Sequence, residues 1–172
     1  MKNQGKRSNE PHNFIVAQNT QKVNSSCASN QSTPSNSSPS TYSGPSWVYS
    51  EIVKEHFLSP RNFLMGDESK YPYDAEGTVG NPVCGDQMRM FLQIADGRIA
   101  DVKWKTYGCA SAIASTSALS ELVKGKTLDE ALQVGPVEIT KFLGGLPQHK
   151  FHCSVLGHEA LAAAIANFRN QR

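Results

Sequence analysis

The stretch KTYGCASAIASTSALSELVKGK, residues 105–126, decides how this chain is read. On its approach, Val102, Trp104 and Thr106 alternate with charged residues, the period of a half-buried strand. Gly108 and Cys109 mark a turn. Beyond it Ala112, Leu119, Leu122 and Val123 recur at helical spacing, up to Gly125. The first turns of this helix are almost entirely Ala, Ser and Thr, so a neighbour can approach the backbone closely. Unpaired N–H groups at a helix start favour negative charge and push a thiol there, Cys109, towards thiolate. Taken alone, the stretch serves equally well as a small-residue helix packed on a sheet, with Cys109 as a buried hydrophobe.

Working outward, strands are predicted near residues 77–80, 88–94 and 99–106, with Asp96-Gly97 as the hairpin turn between the last two. Further upstream, Tyr49, Ile52, Val53, His56 and Phe57 trace an amphipathic helix closed by Ser59-Pro60, with His56 as a packed histidine. Residues 61–75 read as a loop. Downstream come short helices at 128–134, with Thr127 as N-cap, and at 137–143, ending on Gly144-Gly145. LPQHKFHC then leads into a last helix in which Gly157, Leu161, Ile165 and Phe168 share a face. Consecutive hairpin strands followed by a run of helices form the α+β pattern, a small antiparallel sheet packed against several helices.

The chain divides at about residue 46. Between Asn24 and Ser46, ten of 23 residues are Ser and three are Pro, and the first Leu of the chain is Leu58. Such a segment cannot offset its ordering entropy by burial, so residues 1–46 are expected to be a disordered extension and 47–172 a single domain. The extension carries four basic residues against Glu10, so the overall charge of +2 belongs to it. A nucleic-acid patch is not indicated. The apolar run FIVA is too short for a secretion signal, and no stretch reaches the roughly 20 apolar residues that span a bilayer. A cytoplasmic location is expected, with mitochondria as the alternative, because the extension is rich in Ser and poor in acids.

Cys27 falls in the extension, with no structural part expected. Cys84, Cys109 and Cys153 are 25 and 44 residues apart, without a CxxC pair, so zinc-finger and thioredoxin motifs are unsupported, and the odd number argues against a disulfide framework. Three inert buried thiols would be the plain reading. Their positions argue otherwise, because NPVCGD, YGCAS and FHCS all stand at element boundaries beside Gly or polar residues. Asp86 follows Cys84 by two residues and His152 directly precedes Cys153. Three thiolates with a carboxylate or an imidazole make a soft-metal donor set. His149 and His158 are read as solvent-facing.

The order GNPVCGD, KTYGCASAIAS, HCS resembles the NifU/IscU family of iron–sulfur cluster assembly scaffolds, over about residues 49–169. The resemblance implies a SufE/NifU-like α+β fold. It also implies that Cys84, Cys109 and Cys153 are scaffold cysteines, with Asp86 and His152 as the accompanying aspartate and histidine. These residues would hold a transient [2Fe–2S] cluster, or zinc, and Cys153 would be the persulfide acceptor. Iron is then cargo, a cysteine desulfurase and apo iron–sulfur recipient proteins are partners, and the protein acts as monomer or homodimer rather than as an enzyme. Relatives served by an Hsp70-type chaperone carry LPPVK where this chain has Leu146-Pro147-Gln148-His149-Lys150, which weakens the case for that partner. Two other classes remain. A zinc-dependent sulfurtransferase partner would relay persulfide from one of the cysteines. A structural zinc domain would use the same residues for interaction only.

Overall fold

The computed structural model describes residues 49–171, apart from Pro82 and Cys84. The extension 1–46 and Cys27 therefore lie outside the described residues, and so does Cys84. The architecture is α+β: helix α1 (Glu51–Leu58), strands β1 (Ala75–Asn81), β2 (Asp86–Ala95) and β3 (Arg98–Tyr107), then helices α2 (Ala110–Val123), α3 (Leu128–Leu132), α4 (Pro136–Phe142) and α5 (Phe151–Asn170). The strands form an antiparallel meander in the order β1-β2-β3.

Asp96 and Gly97 both take positive φ, 53° and 72°, at the β2–β3 turn, as a tight hairpin of that chemistry requires. Met88, Met90, Leu92, Val102 and Trp104 are fully buried on the inner face of the sheet. The alternation breaks once. Gln93 pairs with Asp101 but Ile94 with Ile99, so Ala100 is an extra residue and both Ile99 and Val102 point inward.

Helices α2 and α5 pack on this inner face. Helix α2 is far more deeply buried than its apolar stripe predicts: Ser111, Ser115, Thr116, Ser117 and Ser120 are inaccessible together with Ala112, Leu119 and Val123, while Leu122 is half-buried. Small hydroxyl side chains allow this because each finds a local partner. Thr116 Oγ1 accepts from Thr106 at 3.0 Å and donates to Ala112 O at 2.9 Å, and Ser117 Oγ accepts from Arg61 N at 2.8 Å.

Helix α1 starts at Ser50, whose Oγ accepts from Val53 N at 3.1 Å and donates to Leu143 O at 2.6 Å, tying α1 to the end of α4. His56 is buried against α2, with Nδ1 2.8 Å from Ser117 Oγ, and burial lowers its pKa. The expected loop 61–75 is partly ordered by the sheet. Leu64 N bonds Trp104 O at 2.9 Å, a 3₁₀ turn forms at Glu68–Lys70, and Tyr71 Oη donates to Asp101 at 2.9 Å. That loop covers the outer face, where Tyr73 packs on Phe91. In α3, Thr127 and Glu130 form a reciprocal cap.

Several boundaries differ by one or two residues from the sequence reading; β2 already begins at Asp86 rather than residue 88, and α3 ends at Leu132 rather than residue 134. β1 begins at Ala75 rather than residue 77, since pairing with Leu92 orders Ala75 and Glu76 as well. Helix α5 begins at Phe151, continuing a 3₁₀ turn at Gln148–Lys150, so His152 and Cys153 lie inside its first turn rather than ahead of it.

Gly77 explains how α5 lies so close to β1. A Cβ there would sit 2.3 Å from both Ala160 O and Ala164 N, backbone atoms that cannot move aside singly. Its φ is not in the left-handed region, so space alone demands glycine. Gly77→Ala is expected to cost about 3 kcal/mol or more by forcing the helix off the sheet. Chemical denaturation of the metal-free protein measures this, and a loss under about 0.5 kcal/mol, the range of a neutral surface change, would contradict the packing.

Candidate metal centre

The site lies at the end of the sheet where β2 begins and β3 ends. Asp86 is the first residue of β2, opposite Asn81 in the β1–β2 turn. Gly85, at φ 72°, lets that turn close, and its N–H donates to Asn81 O at 2.9 Å. β3 then delivers Tyr107, Gly108 and Cys109, and Cys109 is the N-cap residue of α2. Its N–H donates to Asp86 Oδ1 at 3.2 Å. The carboxylate thus satisfies one of the open donors of the α2 start instead of capping its own turn.

Helix α5 supplies the remaining groups. Cys153 Sγ lies 3.7 Å from Cys109 Sγ, 3.6 Å from His152 Nε2 and 3.9 Å from Asp86 Oδ2. His152 Nε2 is in turn 3.9 Å from Asp86 Oδ2. On its other side, His152 Nδ1 lies 3.1 Å from the His149 carbonyl. A carbonyl only accepts, so Nδ1 is the donor in that contact, and Nε2 is the ring nitrogen that faces the other candidate donors. Asp86, His152 and Cys153 lie close enough together to share one ion. For tetrahedral angles and zinc-type bonds, ligand atoms stand about 3.3–3.8 Å apart, close to the separations seen here.

Burial differs sharply within the set. Cys153 and Asp86 are almost inaccessible, whereas Cys109 and His152 are half-exposed. Burial, and then the neighbouring Cys109, push the Cys153 thiol far above its ordinary range, against the opposing charge of Lys150. Metal-free Cys153 is therefore held as the neutral thiol. Lys150, at the α5 N-cap, has its own pKa raised, Cys109 being the largest cause and Cys153 and Asp86 smaller ones. Its place beside the thiols escaped the sequence reading, where it counted only as a residue of the LPQHK segment. Gly108, against Asp86, was read there as a turn residue. His149 is exposed as expected, but His158 is half-buried, with Nδ1 3.1 Å from Val134 O.

Structure and donors together define an α+β domain with a mixed thiol, imidazole and carboxylate centre suited to soft metals. The chain belongs to the NifU-like N-terminal domain family, whose sequence profile matches residues 48–172. It is 46% identical over 121 residues to the iron-sulfur cluster assembly scaffold protein IscU 1 of Archaeoglobus fulgidus, covering 70% of this chain and 76% of that protein. It is 47% identical over 127 residues to the nitrogen fixation protein NifU of a Nostoc species, covering 72% of this chain and 42% of the relative. In fold it matches the crystal structure of a nitrogen-fixing NifU-like protein (N-terminal) from Brucella abortus, with a TM-score of 0.54, 21% identity and coverage of 72% and 95% of the two chains. No helix among the described residues is long and apolar enough to cross a membrane.

The unequal burial of the two thiols has a measurable consequence. In metal-free protein at pH 8, iodoacetamide should alkylate Cys109 at least ~10-fold faster than Cys153, as read by peptide mass spectrometry. Equal rates would contradict the burial of Cys153. The same burial makes the folded thiol harder to ionise than the unfolded one. Its contribution to stability is then complete below the ordinary thiol range and is lost as pH rises through and beyond that range. Cys153→Ala should accordingly flatten the fall of Tm above about pH 8.5.

Proposed function

We propose that this chain is a scaffold on which a labile [2Fe–2S] cluster is assembled and from which it is passed to apoproteins. One observation carries the reading: Cys153 Sγ, His152 Nε2 and Asp86 Oδ2 lie 3.6–3.9 Å from one another, and Cys109 Sγ stands 3.7 Å from Cys153 Sγ, so that donors from three distant segments meet. Cys84 supplies the third thiolate. It lies outside the described residues and stands two positions before Asp86 in the sequence. Membership of the NifU-like family, and relatives named as iron–sulfur scaffolds, support the same reading.

Stable ferredoxin clusters have four Cys ligands. Three thiolates with Asp86 or His152 as the fourth ligand hold a cluster less firmly, and a group that can leave without unfolding the domain permits transfer. Sulfur arrives from a cysteine desulfurase. A scaffold thiolate attacks the outer sulfur of the donor's persulfide, the donor's S–S bond breaks, and its cysteine departs as thiolate. We assign Cys153 as the acceptor: its buried neutral thiol becomes the attacking thiolate by giving its proton to unprotonated His152 Nε2, 3.6 Å away. Reduction of that sulfur to sulfide takes two electrons from an external donor, and iron enters as the second cargo. Zinc would compete for the same ligands. A persulfide relay without cluster assembly draws no support from the scaffold names of the relatives.

Ser substitution of Cys84, Cys109 or Cys153 should abolish or severely weaken anaerobic cluster reconstitution, followed by visible absorption and circular dichroism. Normal assembly in all three would refute the site. Persulfide trapping after incubation with a desulfurase should label Cys153 first, and preferential labelling of Cys109 would reassign the acceptor to the more exposed thiol. A chain beginning at Ser46 should assemble clusters as the full chain does, and Cys27→Ser should have no effect.

The role of the carboxylate is separable. If Asp86 is the hard ligand through which a recipient gains access, Asp86→Ala should prolong the life of the cluster and slow its transfer to an apo-ferredoxin. Loss of its bond to Cys109 N should at the same time lower apo-protein stability by about 1 kcal/mol. A mutant cluster that decays as fast as wild type would remove Asp86 from the release step and leave it to His152.

A further inference from the structure

Gly108 separates the last residue of β3 from the cysteine that starts α2, and its backbone gives no reason for glycine. Its φ lies outside the left-handed region, unlike that of Gly85 or Gly97. What it lacks is room. A Cβ built on Gly108 would stand 2.4 Å from Asp86 Oδ1, 2.8 Å from Asp86 Cγ and 3.2 Å from Ala112 Cβ. The first two distances are below any real contact, and both involve the same carboxylate. Asp86 is almost fully buried, so its head group has no open solvent to swing into.

The two oxygens of that carboxylate do different things. Oδ1 lies over Gly108 and accepts the Cys109 N–H at 3.2 Å. Oδ2 is turned the other way, 3.9 Å from both Cys153 Sγ and His152 Nε2. With Oδ1 directed at the Cys109 amide, Oδ2 is the oxygen that faces the thiol and the imidazole. The bare Cα of Gly108 is what allows that orientation.

We propose that Gly108 is a positioning residue that seats Asp86 as a one-oxygen ligand, by leaving the space in which Oδ1 reaches the Cys109 amide while Oδ2 faces the metal. The inference rests on the reading of Asp86 as a ligand, and it adds the residue that makes such ligation possible. Any side chain at position 108 displaces the carboxylate, breaks its bond to the α2 start and removes Oδ2 from the donor set. The effect of a side chain there passes through Asp86.

The test is a double-mutant cycle on the full-length, metal-free protein, with Gly108→Ala, Asp86→Ala and the double variant, each titrated anaerobically with Co²⁺ and each unfolded thermally. Cobalt reports its ligands through d–d and thiolate charge-transfer absorption. Asp86→Ala and Gly108→Ala should each weaken Co²⁺ binding by roughly 10-fold or more, with the same spectral change, and the double variant should be no weaker than Asp86→Ala alone. In the unfolding arm, Gly108→Ala should lower Tm in the wild-type background and have little further effect once Asp86 is Ala. If Gly108→Ala does not fold and the double variant does, the clash with the carboxylate is demonstrated directly. Additive losses in both arms, failure of both variants to fold, or wild-type binding and Tm in Gly108→Ala would each overturn the proposal. Wild-type Co²⁺ binding by Asp86→Ala would instead refute the ligand reading, and the unfolding arm would still decide whether Gly108 seats the carboxylate.

Discussion

Five hydroxyl side chains of α2 are withdrawn from water, and the rest of the structure depends on their having partners. Each one left unpaired would cost about 1–3 kcal/mol, a large part of the stability of an ordinary domain. Instead they link α2 to its surroundings on every side. Ser111 Oγ donates to Tyr49 Oη, Thr116 bonds Thr106 of β3, Ser117 meets His56 and Arg61, and Ser115 meets Ser154 of α5, which also reaches Thr140 of α4. Among the described residues, no buried side-chain nitrogen or oxygen lacks a partner. A helix with large apolar side chains would stand farther from the sheet. This one can lie flush, and Cys109 at its start is thereby brought level with the end of the sheet.

The same tight packing recurs where Gly77 meets the backbone of α5. Two close contacts, one on α2 and one on α5, therefore set where the first turns of both helices fall. Their thiols end 3.7 Å apart because the helices beneath them have little freedom to shift. The ligand atoms themselves sit at element boundaries: the first residue of β2, the N-cap of α2 and the first turn of α5. Such an arrangement combines a firm base with side chains at element ends.

Asp86 couples the two properties. Its Oδ1 accepts from the start of α2 and its Oδ2 faces the Cys153 thiol, so a displacement of one oxygen is felt at the other. Lys150 adds a positive charge beside two thiols and a carboxylate, offsetting in part the cost of gathering anions in a half-buried place.

The elements were legible in the chain because their signals are local. Alternation marks β2 and β3, Asp96-Gly97 marks their turn, Thr127 marks the start of α3, and the three cysteine contexts with Asp86 and His152 name the candidate donors. Convergence was not legible. Nothing in a separation of 44 residues says that Cys109 and Cys153 lie together, because proximity comes from a three-stranded meander and two helices returning to one end of it. Nor did local pattern reveal the burial of five hydroxyls in α2, since Ser and Thr read as polar until their partners on α1, on Arg61 and Asn62, on α5 and on β3 are in place. The first turn of α5 extended back over His152 and Cys153 because the 3₁₀ turn at Gln148–Lys150 leads directly into it. Glycines show the same division. Gly97 is demanded by its own φ, a property of the turn that the sequence alone conveys, whereas Gly77 and Gly108 are demanded by atoms of α5 and of Asp86 that only the tertiary fold brings against them.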